Sequence, residues 1–201
     1  MISILFEIFS YKFGFEQWIK TNATLNNARY LAAAINRDNR SWWVTGGMNG
    51  NYHAYKSTEL LSYDEITGSQ RFSPATDLPI SMLGHCITRI NGSHLFLGGG
   101  NTQKAYLFDE NKLSFIELPE MLKKRMGPAC SVVQYDDGDN INGTVIMVVG
   151  GSSNFDDSTY TTTEIIQVDN LLKWKFGPKF DIDSGWVNMV IKRSDSQFSF
   201  I

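Results

Sequence analysis

The chain has 201 residues, of which 42% are hydrophobic, 19% charged and 13% aromatic, with a formal net charge of −3. That is the composition of an ordinary globular protein, and it excludes a disordered or fibrous chain. The single basic cluster, Lys123-Lys124-Arg125, gives no footprint for a nucleic-acid backbone and reads as a solvated connection, and no apolar run reaches the ~20 residues a helix needs to span a bilayer.

In chain order the first stretch, "MISILFEIFSYKFGF", is apolar but carries Glu7 and lacks a basic start and a small-residue cleavage site, so it is not read as a targeting segment. Its "EIFSY" at Glu7 to Tyr11 returns 52 residues later as "ELLSY" at Glu59 to Tyr63, with "TEIIQVD" from Thr163 as a third copy. Residues 1–24 are therefore the third and fourth strands of a repeated unit. Trp18 lies three periods, 156 residues, before Trp174. Asn26 to Ala34 is the one stretch with a helix-like pattern.

Three hydrophobic runs then end in glycine pairs: "WWVTGG" with Gly46-Gly47, "LFLGG" with Gly98-Gly99, and "IMVVGG" with Gly150-Gly151, spaced by 52 and again 52 residues. The spacing partly reflects insertions and deletions that cancel, so the order of elements is firmer than the number. One further step lands at 202–203, which reads as a chain broken off before a fourth pair; the alternative is a four-unit ring in which both termini share one sheet. Complete units span 28–79, 84–119 and 127–178, and 185–201 supplies a first and second strand. Within each unit a first strand (Tyr30 to Asn36; Cys86 to Ile90; Cys130 to Gln134) leads to a second that ends in the glycines. A polar loop follows, then a third strand that ends in an apolar residue and Asp (Tyr63-Asp64, Phe108-Asp109, Val168-Asp169), and a fourth with one aromatic: Phe72, Phe115 or Trp174. Segments of four to seven β-branched and aromatic residues bounded by Gly, Asn, Asp or Pro are strands. A series of four-stranded sheets, none able to bury both faces alone, packs around an axis as a β-propeller, with the aromatic as a wedge between sheets.

These units resemble the Kelch repeat: the run into a glycine pair, the residue before Asp, the aromatic followed by Leu78-Pro79, Leu118-Pro119 or Gly177-Pro178, and Arg29, Gly84-His85 or Arg125 at the head of the next unit. The resemblance covers essentially the whole chain and implies an all-β, Kelch-type β-propeller of about three complete four-stranded blades plus a half-blade at each end. The first and middle copies have Phe where the family usually has Trp, which keeps the wedge and loses the indole N–H. It says little of function, because such propellers serve many roles.

Candidates for chemistry are few. His85, His94 and His53 are not spaced as ligands, the copper set of the galactose oxidase relatives has no counterpart, and His85 and His94 read as structural. No G-x-S-x-G signature occurs. Asp136-Asp137-Gly138-Asp139-Asn140 lacks the closing Glu of a calcium loop and reads as a hairpin tip. No cofactor is expected. The loops between second and third strands carry Tyr52, His53 and Tyr55 in one copy and Phe155, Asp156, Asp157 and Tyr160 in another. Aromatic residues on loops of a rigid scaffold are what binding faces are made from, unless they fold back onto the blades. The expectation is a non-catalytic scaffold that presents these loops to a protein partner. The alternatives are a fragment of a propeller enzyme acting on sugars, similar to galactose oxidase or a sugar-acid epimerase, and the recognition part of a ubiquitin ligase adaptor, which would need a BTB domain. Carbohydrate stays open as a ligand, with no motif in its support.

Four N-x-S/T triplets begin at Asn22, Asn39, Asn91 and Asn142. The last three fall in turns between first and second strands, where Asn-Gly is also the ordinary hairpin pair. Cys86 ("GHC") and Cys130 ("GPAC") resemble stretches of secreted, invertebrate-type Kelch proteins. In a propeller both would sit on neighbouring inner strands, and a bridge between them would favour an oxidising, extracellular setting; the alternative is cytoplasmic. That pairing requires Cα atoms within ~7 Å.

Overall fold

The computed structural model describes residues 5–12, 17–38, 41–64, 66–100, 102–138, 141–153, 160–179, 190–192 and 198–200, with side chains described between 23 and 179. Every regular element among them is a strand, and no helix long and apolar enough to cross a membrane is present. The strands are β1 (Leu5–Lys12), β2 (Gln17–Arg29), β3 (Ala33–Asp38), β4 (Ser41–Thr45), β5 (Thr58–Tyr63), β6 (Gln70–Pro74), β7 (Cys86–Ile90), β8 (Ser93–Leu97), β9 (Ala105–Asp109), β10 (Ser114–Leu118), β11 (Ala129–Asp136), β12 (Asn142–Val149), β13 (Thr163–Gln167), β14 (Lys175–Phe176), β15 (Val190–Lys192) and β16 (Phe198–Phe200). Three sheets are four-stranded antiparallel meanders, β3-β4-β5-β6, β7-β8-β9-β10 and β11-β12-β13-β14, and β1-β2 and β15-β16 form sheets of their own. This is a β-propeller-like fold. The chain divides into two compact units, Met1–Leu83 and Gly84–Ile201.

In the first unit the segment with a helix-like pattern is strand: Asn26 to Arg29 finish β2, and β3 begins at Ala33, later than the expected Tyr30. Leu31 takes a left-handed φ of 55°, which breaks the ladder, and Tyr30 instead bridges Met48. Phe72 of β6 is the expected wedge. It packs with Ala23 and Leu25 of β2, alongside Val44 and Leu61 of its own sheet.

In the second unit one apolar cluster joins two meanders. It takes Ile90, Leu95, Leu97 and Ala105 from one, Ile146, Val148, Ile166 and Trp174 from the other, and Met121 from the connection. Trp174 also donates its indole Nε1–H to the carbonyl of Pro119 at 2.9 Å, so the third copy has the hydrogen bond that Phe forfeits. Phe115 packs on the aromatic rings of its own sheet, among Phe96, Tyr106 and Phe108, with centroids 4.9–6.4 Å away.

The glycine pairs are required by backbone geometry. Gly46 and Gly47 have φ of 57° and 84°, and a Cβ on Gly47 would lie 2.7 Å from the Tyr30 carbonyl. L-residues avoid the first condition and sterics forbid the second. The second glycine of a pair also holds the connection that leaves its blade. The N–H of Gly47 donates to the carbonyl of Met82, and that of Gly99 to the carbonyl of Arg125. In both cases the bond fixes the connection that follows the fourth strand. The Asp that follows or ends the third strand closes the outer hairpin. Asp64 accepts from the N–H groups of Thr67 and Ile66, and Asp109 from those of Lys112 and Asn111, which holds both carboxyls below their usual range.

Candidate functional site

The loop after β4 is short and braced. Asn49 accepts at its side-chain Oδ1 from the N–H groups of Asn51 and His53, its own N–H donates to the His53 carbonyl, and its carbonyl accepts from Tyr52. Four hydrogen bonds within five residues fix the loop. At its tip Tyr52 is 71% exposed with a left-handed φ of 63°, a conformation that costs a bulky side chain energy. His53 is exposed beside it. Tyr30, half-buried below, has its phenol pushed above the ordinary value by desolvation and by Tyr52.

The other aromatics of the proposed binding loops are used differently. Tyr55 lies against the guanidinium of Arg29, 5.0 Å from ring centroid to Cζ, and Tyr160 against that of Arg125 at 5.1 Å. They fold back rather than project, because each ring covers a buried cation. Phe155, Asp156 and Asp157 lie outside the described residues.

Beneath those rings is a network that appears twice. Arg29 donates from Nη1 to the carbonyls of Gly46 (2.9 Å) and Ser57 (2.8 Å), and from Nη2 to Ser57 Oγ (3.2 Å) and Glu59 Oε1 (2.6 Å). Arg125 donates from Nε to Glu164 Oε1 (2.8 Å), from Nη1 to the carbonyls of Gly150 (2.6 Å) and Thr162 (2.9 Å), and from Nη2 to Thr162 Oγ1 (3.0 Å). The carboxylates also accept backbone N–H groups, Glu59 from Asn26 and Asn27 and Glu164 from Leu122 and Lys123. All four charged side chains are almost fully buried. The expectation that Lys123-Lys124-Arg125 is a solvated connection is thus corrected. Arg125 is a buried anchor, and Lys123 places Nζ 4.4 Å from the Tyr160 ring centroid. The sequence signal was Thr-Glu at the start of two hydrophobic strands, Thr58-Glu59 and Thr163-Glu164: a carboxylate repeated in a buried strand needs a partner.

Strand register also corrects the repeat alignment. Ala33 pairs with Thr45, Cys86 with Leu97 and Ala129 with Val149, each opposite the residue before a glycine pair. Counting back four from each, the counterpart of Arg29 and Arg125 is Met82 rather than Gly84-His85. In that middle copy Tyr106 replaces the Glu, and Pro79, which has no N–H, stands where Asn26 and Leu122 donate. The network has been exchanged as a whole.

Cys86 and Cys130, at neighbouring positions of β7 and β11, are joined in a disulfide with Cα atoms 6.0 Å apart. Beside it His85 is buried and stacked toward Phe96. Desolvation pushes its imidazole down to about 3. The unfolded chain takes up a proton near pH 6.5 and the folded one does not until about 3, so stability falls as pH drops through that window. We expect a loss of about 2 kcal/mol at pH 5 relative to pH 7, from ~1.4 kcal/mol per unit, abolished in His85→Ala. Denaturant midpoints across pH 4–7 check it. His94 is also buried, its Nδ1 2.9 Å from Glu110 Oε1.

Asp136 and Asp137 spend their oxygens inside the hairpin, on Gly138, Asn142 and Ile141. Among the described residues no group of three His, Cys, Asp or Glu side chains is placed to hold a metal ion. Asn91 and Asn142 are exposed in first-to-second-strand hairpins, Asn22 is on β2, and Asn39 lies outside the described residues. Trp18 pairs with Tyr11 in the β1-β2 ladder.

No family model matches the chain, and no curated protein matches it. Solved structures do, among them the structure of YjhT, which is similar over 100% of this chain and 69% of its own, with a TM-score of 0.75 and 13% sequence identity. At that identity the likeness shows the fold alone.

Proposed function

We propose that this chain is a Kelch-type propeller module that binds a protein partner through the loops following its glycine pairs and performs no chemistry. The observation that carries this reading is the loop 49–53, which holds Tyr52 71% exposed on a backbone already fixed by hydrogen bonds. A tyrosine displayed this way brings large contact area with little ordering cost on binding, the property of an interface anchor. The Kelch type rests on the order of elements: glycine pair, Asp at the outer hairpin, aromatic in or beside the fourth strand.

Site-specific photo-crosslinking tests it. A crosslinker at position 52 should trap a partner that the same group at position 66, in the hairpin at the other end of this blade and 97% exposed, does not. Tyr52→Ala should then weaken binding about tenfold or more, with the fold unchanged. A partner bound equally well by Tyr52→Ala and His53→Ala variants would overturn the reading.

A further inference from the structure

Two of the N-x-S/T triplets lie at the same end of their blades. Asn91-Gly92 is the turn between β7 and β8, Asn142-Gly143-Thr144 opens β12 just after the hairpin from β11, and both asparagines are exposed. The space around them is open: a side chain built on Gly92 or Gly143 would meet no atom within 4 Å. Asn91 has φ of 46° and Gly92 of 84°, a tight hairpin that turns the asparagine outward. Asn142 donates from Nδ2 to Asp136 Oδ2 at 3.1 Å, an exposed bond whose loss costs little. A triplet alone recurs by chance. The independent observation is the Cys86–Cys130 disulfide, which binds two blades together and persists only where thiols are not kept reduced. The compartments that allow it in eukaryotic cells are those in which asparagine is glycosylated.

We infer that Asn91 and Asn142 carry N-linked glycans. The donor is a lipid-linked diphospho-oligosaccharide. The bond from sugar C1 to the diphosphate oxygen breaks, C1 bonds to the asparagine Nδ2, that nitrogen loses a proton, and the lipid diphosphate leaves. The consequence is directional. Asn91 precedes the five-residue β8 and Asn142 begins the eight-residue β12, so the glycans sit about 17 and 27 Å of strand away from Gly98 and Gly150. Glycans cover the hairpin end of these blades and leave the glycine-pair end bare.

The test is mass spectrometry of the protein recovered from its own source, digested with and without an amidase that removes N-glycans. The expected result is conversion of Asn91 and Asn142 to aspartate, with heavy oxygen taken up from labelled water, in a protein whose Cys86 and Cys130 are blocked to alkylation until reduced. Unmodified asparagine at either position overturns the assignment of that site, and free thiols at Cys86 and Cys130 overturn its premise. Occupancy is read by mass and is indifferent to whether Tyr52 contacts a partner, so the failure of one proposal leaves the other standing.

Discussion

Replacing Glu164 with alanine lowers the stability of the second unit by about 3–5 kcal/mol, because it strands the Arg125 guanidinium, 0% exposed, without a counter-charge. It also removes the acceptor for the Leu122 and Lys123 N–H groups. Arg125→Met alone is similarly costly, since it leaves the buried carboxylate uncompensated. The pair together costs less than the sum, with a coupling of about 1–3 kcal/mol, because an ion pair removed whole leaves no orphaned charge. The molecule already contains the outcome: Met82, Tyr106 and Pro79 fill the corresponding positions of the middle repeat, apolar or self-sufficient at each. Denaturant titrations of the two single variants and the double variant decide it. Additive losses would mean that the two side chains do not act as a unit.

The second large effect belongs to the disulfide. Cys86 and Cys130 are 44 residues apart, and closing a loop of that length restricts the unfolded chain by about 4 kcal/mol in the chain-entropy account. Reduction, or the double variant Cys86→Ala/Cys130→Ala, is expected to lower the denaturant midpoint correspondingly, while the sheets β7-β8-β9-β10 and β11-β12-β13-β14 persist through their shared apolar cluster. The comparison is between unfolding curves with and without reductant. A midpoint that does not move would show that the bridge is not formed in solution.

Most of the strand order is legible in the sequence because strands here are short, β-rich and punctuated by residues with one conformational purpose. The glycine pairs mark the ends of β4, β8 and β12, and Asp64 and Asp109 mark outer hairpins, since each follows from local backbone chemistry. The start of β3 is not legible: a left-handed Leu31 announces nothing in its side chain. The buried arginines are hidden for a different reason. Lys123-Lys124-Arg125 looks alike at three positions, and only the strand placed across from it shows that one of the three is inside. Tyr55 and Tyr160 look outward-facing for want of the same information, because a ring covering a cation and a ring offered to a partner share a composition. Tyr52 differs from them only in where the loop points.

The stitch from Gly47 to Met82 and from Gly99 to Arg125 uses main-chain atoms on both sides. Its strength is therefore indifferent to what grows from the second residue, arginine in one seam and methionine in the other. A connection held this way tolerates drift in its side chains. A duplicated module can lose an entire electrostatic cluster, as the middle one has, and keep the main-chain bond that fixes its connection, which leaves the tips free to diversify under selection for what they touch.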